Sequence, residues 1–177
     1  PAGSKPLPLG VKLTGPRKLR LRHGHWAGAE GMVYEDSWDS ARNVIDRFDI
    51  PKDWPRYLAI DFGFTNPFVC QWWAKDPDGR LYRYREIYHT QRLVEDHSRT
   101  IKELSANERI DAVVCDHDAE GRATFEKHAG MSTVAAKKAV LEGIQLVASR
   151  LKPAGDNRAR VFFLRDSLLE RDSALKD

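Results

Sequence analysis

Two short apolar runs that each end in an aspartate constrain this chain more than any other feature. The first run covers residues 57–60 and is followed by Asp61; the second covers residues 112–115 and is followed by Asp116. Short apolar runs bounded by polar residues are typical of buried β-strands. Aspartates at the tips of two neighbouring strands would offer hard oxygen ligands to a divalent cation. The pattern therefore predicts a metal site suited to phosphodiester chemistry.

The composition bounds the class of protein. The chain has 177 residues, 41% hydrophobic and 31% charged, which is enough for one domain with a core. No apolar run approaches the roughly 18 residues that would span a bilayer, and the polar, proline-rich first ten residues contain no signal peptide. Cys70 and Cys115 lie inside apolar runs without ligand-spaced partners, so we predict buried thiols and neither disulfide nor zinc site.

The positive charge is unevenly distributed. The net charge is only +3, but basic residues cluster near the N-terminus and again at Arg80, Arg83 and Arg85. Such patches suit a polyanionic partner, although a solvated face is the alternative interpretation of each.

Regular structure is expected from residue 56 onward. Strands are predicted over residues 57–63, 68–74 and 81–88, with a turn at residues 76–79 that makes the last two antiparallel. Helices are predicted over 93–104, with Thr90 as a possible N-cap, over 122–128 and over 137–151; further strands are predicted over 110–115, 132–135 and 161–164.

The first 55 residues differ from the rest. Their prolines and glycines argue against long regular elements, although residues 19–21 and 32–34 have the pattern of short strands. We expect residues 1–55 to form an irregular arm or linker and residues 56–177 to form an α/β domain.

The order of these elements resembles the ribonuclease H-like fold, in which a three-stranded antiparallel meander is followed by parallel strands in a mixed sheet flanked by helices. Residues 59–67, 113–118 and 135–144 resemble the nuclease domain of the large terminase subunit of tailed bacteriophages. Residues 24–34 resemble the segment that joins the ATPase of that family to its nuclease. Together these stretches extend over nearly the whole chain.

This resemblance implies a metal-dependent endonuclease that cuts concatemeric double-stranded DNA. Asp61 and Asp116 would be ligands of a two-metal Mg²⁺ or Mn²⁺ site. The implied partners are DNA, the terminase small subunit, the portal protein and the protein's own ATPase domain, and the implied location is the cytoplasm of a host bacterium.

Two features depart from the family pattern. The sequence contains no G-x-x-x-x-G-K-[ST] phosphate loop, so the ATPase is not in this chain. The third acidic ligand of the family has no match, because the surroundings of Asp166, Glu170 and Asp172 differ from that motif. We therefore expect a fragment of a longer polypeptide, truncated at its C-terminus and preceded by an ATPase domain.

Other residues are candidates for the same site. Asp118 competes with Asp116 as a metal ligand, or else lies in a loop. Lys137, at the start of the last predicted helix, is a candidate for orienting water or contacting a phosphate. Gly63 is expected to leave space for the DNA backbone.

Three basic residues are candidates for phosphate contacts. Arg83 and Arg85 share one face of the third strand, and Lys138 follows Lys137. Phosphate contacts carry no base information, so we expect little sequence preference.

Two other functions remain open. The chain could be a non-catalytic DNA-binding or docking module, because a third acid is missing. Residues 61–65 also match the D-x-G-x-T phosphate turn of actin-like ATPases, but the second phosphate turn and the length of that fold are absent.

Overall fold

The computed structural model describes residues 33–171, with side chains to Leu169. The chain divides into two units, Pro1–Trp38 and Asp39–Asp177. In the first unit, residues 33–38 include a turn in which the Ser37 and Trp38 N–H groups donate to the Tyr34 carbonyl. The strand predicted over residues 32–34 is therefore wrong for Val33 and Tyr34. The strand predicted over residues 19–21 lies outside the described residues.

The second unit is an eight-stranded mixed sheet with helices. The strands are β1 Val44–Ile45, β2 Arg56–Asp61, β3 Phe68–Lys75, β4 Leu81–His89, β5 Ile110–Cys115, β6 Thr133–Ala135, β7 Val161–Leu164 and β8 Leu168–Arg171. The helices of the described part are α1 Ser40–Asn43, α2 Val94–Leu104, α3 Ala119–Ala129 and α4 Val140–Leu151. None of these helices is long and apolar enough to cross a membrane.

The predicted meander is confirmed. Strands β2, β3 and β4 pair antiparallel in sequence order. The turn between β3 and β4 closes because the Gly79 N–H donates to the Asp76 carbonyl at 3.0 Å, and Gly79 adopts a φ of +80° that favours glycine. Asp76 then accepts from the Arg80 N–H at 2.8 Å, which fixes the start of β4.

Parallel strands extend the sheet on both sides. The order is β1-β7-β4-β3-β2-β5-β6, with β8 also paired to β4. Strand β5 runs parallel to β2, and β6 runs parallel to β5. The chain therefore places the carboxyl ends of β2, β5 and β6 side by side at one edge of the sheet.

Only one face of the central sheet is deeply buried. Alternate residues of β2, including Leu58 and Ile60, pack in the core with Ile101 of α2 and Phe125 of α3. On the opposite face the side chains are more exposed: Val114 of β5 is 37% exposed and Val134 of β6 is 58% exposed. The expected buried cysteines are confirmed, since Cys70 and Cys115 are free thiols within the core.

Helix α2 begins at Val94, and Thr90 is not its cap. The N-cap is Leu93, which makes no side-chain capping bond. The preceding segment is bound elsewhere, because the Gln91 N–H donates to the Phe64 carbonyl at 2.7 Å and Gln91 has a φ of 56°. That long-range contact, which no local pattern signals, delays the start of the helix.

Helix α4 is shorter than predicted, so Lys137 and Lys138 precede it. The Ala136 N–H donates to the Cys115 carbonyl at 2.7 Å and so continues the parallel ladder beyond β6. The backbone at Ala136 is hydrogen-bonded as part of the sheet, so the helix cannot begin there. The apolar stripe of α4 is also largely exposed: Val140 is 70% exposed, and Leu151 is the one buried residue of this helix.

Three short elements were not predicted. Helix α1 is capped by Asp39, whose carboxylate accepts from the Ala41 N–H at 3.0 Å. Strand β1 exists because it pairs with β7, and β8 because it pairs with β4. Part of the expected arm is thus regular and belongs to the unit that begins at Asp39.

One buried histidine makes the stability of the fold depend on pH. His97 of α2 is fully buried and stacks on Phe68, with ring centroids 4.0 Å apart. Neither of its ring nitrogens has a hydrogen-bond partner among the described residues. Burial, followed by the charges of Arg92 and His89, lowers the pKa of His97 to about 4, and Asp96 opposes this only weakly.

Acid should therefore destabilise the fold through His97. The unfolded pKa is about 6.5, so below that pH the unfolded state binds more protons and stability falls toward pH 4. Urea denaturation at pH 7.5 and pH 4.5 measures this effect. Between these two pH values, we expect the free energy of unfolding of His97→Leu to fall by about 1–2 kcal/mol less than that of the wild type. The control Ile101→Val, on the same helix, should lower stability equally at both pH values. An unchanged pH dependence in His97→Leu would contradict this assignment.

Candidate metal centre

Asp61 and Asp116 lie side by side because β2 and β5 are parallel neighbours. Ile60 is opposite Cys115 in the pairing register, so the next residue of each chain segment stands at the same level. Both aspartates follow a buried residue, and alternation directs both side chains to the face opposite the core. Adjacent strands lie about 4.8 Å apart, which brings the two carboxylates within reach of a shared cation.

The two carboxylates form a destabilised negative pair. Partial burial, and then the charge of Asp116, raise the pKa of Asp61 above its ordinary value. The Oδ1 atom of Asp116 is buried and has no hydrogen-bond partner among the described residues. A buried acceptor without a donor is costly, and a nearby like charge adds to that cost. A hard divalent cation would relieve both, so the donor set fits Mg²⁺ or Mn²⁺.

A third metal ligand is not present near this pair in the described part of the chain. No group of three or more His, Cys, Asp or Glu side chains between residues 33 and 169 is arranged to hold a metal ion. Asp166 is an exposed residue with a φ of 53°. Asp172 and the side chain of Glu170 lie outside the described residues.

Asp118 acts as a helix cap. It is exposed, and its Oδ1 accepts from the Glu120 N–H at 3.1 Å, which makes it the N-cap of α3. Helix α3 consequently begins at Ala119, three residues before the predicted start. This placement gives Asp118 a structural role that does not depend on a metal.

Gly63 does not provide the open space that we expected for DNA. A Cβ atom at Gly63 would lie 2.5 Å from the Asn66 carbonyl oxygen and 2.6 Å from the Pro67 carbonyl oxygen. The chain after Asp61 folds tightly against itself, and glycine is required for that internal contact.

Gly121 permits a second close approach beside Asp61. A Cβ atom at Gly121 would lie 2.9 Å from Cγ of Phe62 and 2.7 Å from Oδ2 of Asp118. Phe62 also contacts Phe68 edge-on, with ring centroids 6.0 Å apart. The residue after Asp61 is thus wedged between the core and the first turn of α3. The sequence analysis did not identify Phe62 and Gly121. Two signals were available in the sequence: the D-x-G motif at the end of β2, and the glycine five residues after Asp116.

Lys137 lies close to the site in the chain path. Cys115 pairs with Ala135, and the bond from the Ala136 N–H to the Cys115 carbonyl continues this ladder, so Lys137 stands one residue beyond the level of Asp116. Lys137 and Lys138 are both exposed. The structure therefore brings these lysines to the same edge of the sheet as the aspartates.

Arg83 and Arg85 are not brought to the site. Arg83 pairs with Glu86 and lies over the Phe163 ring, and Arg85 pairs with Glu108. In the register, Arg85 stands two strands from β2 at the level of Leu58, about 10 Å along and about 10 Å across the sheet from Asp61. The structure therefore does not bring these arginines next to the aspartates, and their phosphate contacts stay a prediction.

Comparison with known proteins supports the fold. No protein-family model matches the sequence, and no curated protein matches it closely. Among solved structures, the large terminase from a thermophilic bacteriophage has a TM-score of 0.64 and 21% identity, over 76% of this chain and 33% of that one. The chain has the fold of a terminase nuclease domain. It spans about a third of the length of that large terminase.

Two isolated domains agree with this comparison. The P22 large terminase nuclease domain has a TM-score of 0.60 and 17% identity, over 75% of this chain and 73% of that one. The large terminase nuclease from the thermophilic phage G20c has a TM-score of 0.51 and 16% identity, over 76% and 75%. The mixed, ribonuclease H-like sheet predicted from the sequence is confirmed.

The close approach at Gly121 should make it intolerant of a methyl group. We expect Gly121→Ala to lower the free energy of unfolding by about 1–3 kcal/mol, because Phe62 or Asp118 must move. Gly143 of α4 is the matched control: its Cβ position is open, so Gly143→Ala should raise the free energy by about 0.5–1 kcal/mol. Urea denaturation measures both, and effects of the same sign would contradict the packing described.

The charge of Asp116 should control the protonation of Asp61. In a metal-free carboxyl NMR titration, we expect the pKa of Asp61 to lie above the ordinary range and to fall in Asp116→Asn, because the repelling charge is removed. Asp111→Asn, on the same strand but paired with Arg109, is the control and should leave the titration of Asp61 unchanged. A pKa of Asp61 that rises in Asp116→Asn would be contrary to this geometry.

Proposed function

We propose that this chain is the metal-dependent endonuclease domain of a phage or prophage DNA-packaging terminase. The observation that carries the proposal is the paired carboxylates, Asp61 and Asp116, at the ends of parallel strands, with an unsatisfied oxygen on Asp116. The fold shared with terminase nuclease domains supports it. The substrate would be concatemeric double-stranded DNA, cut by phosphodiester hydrolysis.

In this proposal each residue has a separate task. Asp61 would hold both ions of a two-metal site, and Asp116 would hold one of them. Bound Mg²⁺ or Mn²⁺ would neutralise charge on the phosphate and lower the pKa of an attacking water. Lys137 would contact a phosphate oxygen or orient that water, and Lys138 would contact the DNA backbone.

The rest of the chain is assigned by the same proposal. Since β1 pairs with β7, the nuclease domain would begin near Asp39, with the preceding residues as the arm toward an ATPase domain. The terminase small subunit and the portal protein would be further partners of the whole protein, in the cytoplasm of the host bacterium. The names of the similar structures, a bacteriophage large terminase and a large terminase nuclease domain, support only the link to a phage terminase.

A non-catalytic docking or DNA-binding module is the second candidate. It is favoured by the absence of a three-ligand acidic group in the described residues. The ATPase-like alternative is not favoured, because the backbone around Gly63 is folded tightly: a Cβ atom added at Gly63 would lie 2.5 Å from the Asn66 carbonyl oxygen.

Cutting of supercoiled plasmid in Mn²⁺ tests the nuclease. We expect nicked and linear DNA with the wild type and a loss of at least about 100-fold in Asp61→Asn and Asp116→Asn, since each removes a ligand. Asp118→Asn retains a good capping residue and should keep its cutting activity. Asp111→Asn is the control for loss of charge on β5.

A second readout does not depend on activity. If the carboxylates bind metal, Mn²⁺ should raise the melting temperature of the wild type and leave Asp61→Asn unchanged. If the chain binds DNA but neither cuts it nor shows an Mn²⁺-dependent rise in melting temperature, the docking module is favoured. Equal cutting by wild type and Asp61→Asn would refute the assigned site.

A further inference from the structure

Phe64 is an exposed aromatic residue in the segment that directly follows Asp61. It follows Asp61 by three residues, and its side chain is 48% exposed. Its neighbour Phe62, in contrast, points into the structure against Phe68 and Gly121. Of the two phenylalanines in this short segment, Phe62 therefore packs inside the domain and Phe64 lies at its surface.

The backbone that carries Phe64 is fixed on both sides. Before it, Gly63 packs within 2.5 Å of the Asn66 carbonyl, measured from an added Cβ. At Phe64 itself, the carbonyl accepts the Gln91 N–H at 2.7 Å, and Gln91 adopts an unfavourable φ of 56° to donate it. Anchored in this way, the exposed ring is presented in a preorganised position.

Phe64 also lies within reach of DNA held at the aspartates. Three residues span at most about 11 Å, which corresponds to about three base-pair steps of duplex. A phosphate held at Asp61 and Asp116 through a metal ion would therefore have neighbouring base pairs within that distance of Phe64. The flanking Thr65 and Asn66 are exposed as well.

The chemistry of the ring limits what it can bind. A phenyl group makes no hydrogen bond to a phosphate or a base edge, but it gains from contact with base faces and sugars. Apolar side chains inserted between base pairs partly unstack them, and pyrimidine–purine steps unstack most easily.

We propose that Phe64 is a substrate-contacting wedge that inserts at a base step near the scissile phosphate. It would make the enzyme prefer pyrimidine–purine steps without reading base edges. This inference rests on the proposed nuclease function and names how that same site selects its DNA.

The binding test uses the 177-residue chain, Ca²⁺ in place of Mn²⁺, and a 30-base-pair duplex with 2-aminopurine in a central TA step. We expect the wild type to raise the 2-aminopurine fluorescence, and Phe64→Ala to lose that rise and bind about five- to tenfold more weakly. Phe64→Trp should retain the rise. Phe48→Ala is the matched control, because Phe48 is 39% exposed and packs by Tyr82 at the opposite end of the sheet.

The cutting test uses Mn²⁺ and sequencing of the ends made in linear plasmid. Wild type and Phe48→Ala should cut preferentially at pyrimidine–purine steps, and Phe64→Ala should lose that preference; thermal melts confirm that each variant is folded. The wedge would be overturned if wild type and Phe64→Ala cut at the same sites and give the same fluorescence. If cutting is lost in Asp61→Asn in the same experiment, the proposed nuclease function still stands. If the wild type does not cut but the fluorescence rise still requires Phe64, the nuclease fails and the DNA contact is supported.

Discussion

The parallel pairing of β2 with β5 is the constraint on which the rest of the site depends. The buried residues that precede the two aspartates, Ile60 and Cys115, stand opposite one another in this pairing. Hydrophobic burial of that pair fixes the register, and a shift of one residue would turn either side chain to the other face. The core therefore supplies the energy that holds Asp61 and Asp116 together against their mutual repulsion.

Local backbone contacts then convert this pairing into a rigid edge. The glycines at 63 and 121 allow the segment after Asp61 to fold back and α3 to approach Phe62. Asp118 caps α3, and Gln91 binds the carbonyl of Phe64. Two of these contacts, Gly121 with Phe62 and Gln91 with Phe64, join residues that follow different strands, so they connect the ends of β2, β4 and β5. Preorganisation of this kind favours binding of a charged ligand, since little has to move.

The two faces of the sheet serve different purposes. Helices α2 and α3 bury one face, where Phe68, Trp72 and Phe125 are fully enclosed. The other face retains exposed valines at 114 and 134 beside the carboxylates. Helix α4 crosses between β6 and β7, but it is anchored at its carboxyl end, where Arg42 and Asn43 bind the Leu151 carbonyl. The carboxylates thus open onto the less covered side of the domain.

The central strands, the meander and the two strand-end aspartates could all be predicted from the sequence. These are local properties: apolar runs, a turn rich in proline and glycine, and an acidic residue directly after a run. The sequence also indicated the mixed fold through the order of its elements.

Which of the candidate residues lie close together depends on long-range contacts that the sequence does not reveal. Arg83 and Arg85 are candidates for phosphate contacts by sequence, and the structure pairs them with Glu86 and Glu108 and places them on β4, a strand that is not adjacent to β2. Lys137 precedes its helix because the backbone at Ala136 is bound to a strand 21 residues earlier in the chain. Strand pairing, ion pairs and close glycine contacts join residues distant in sequence, and no local pattern contains that information.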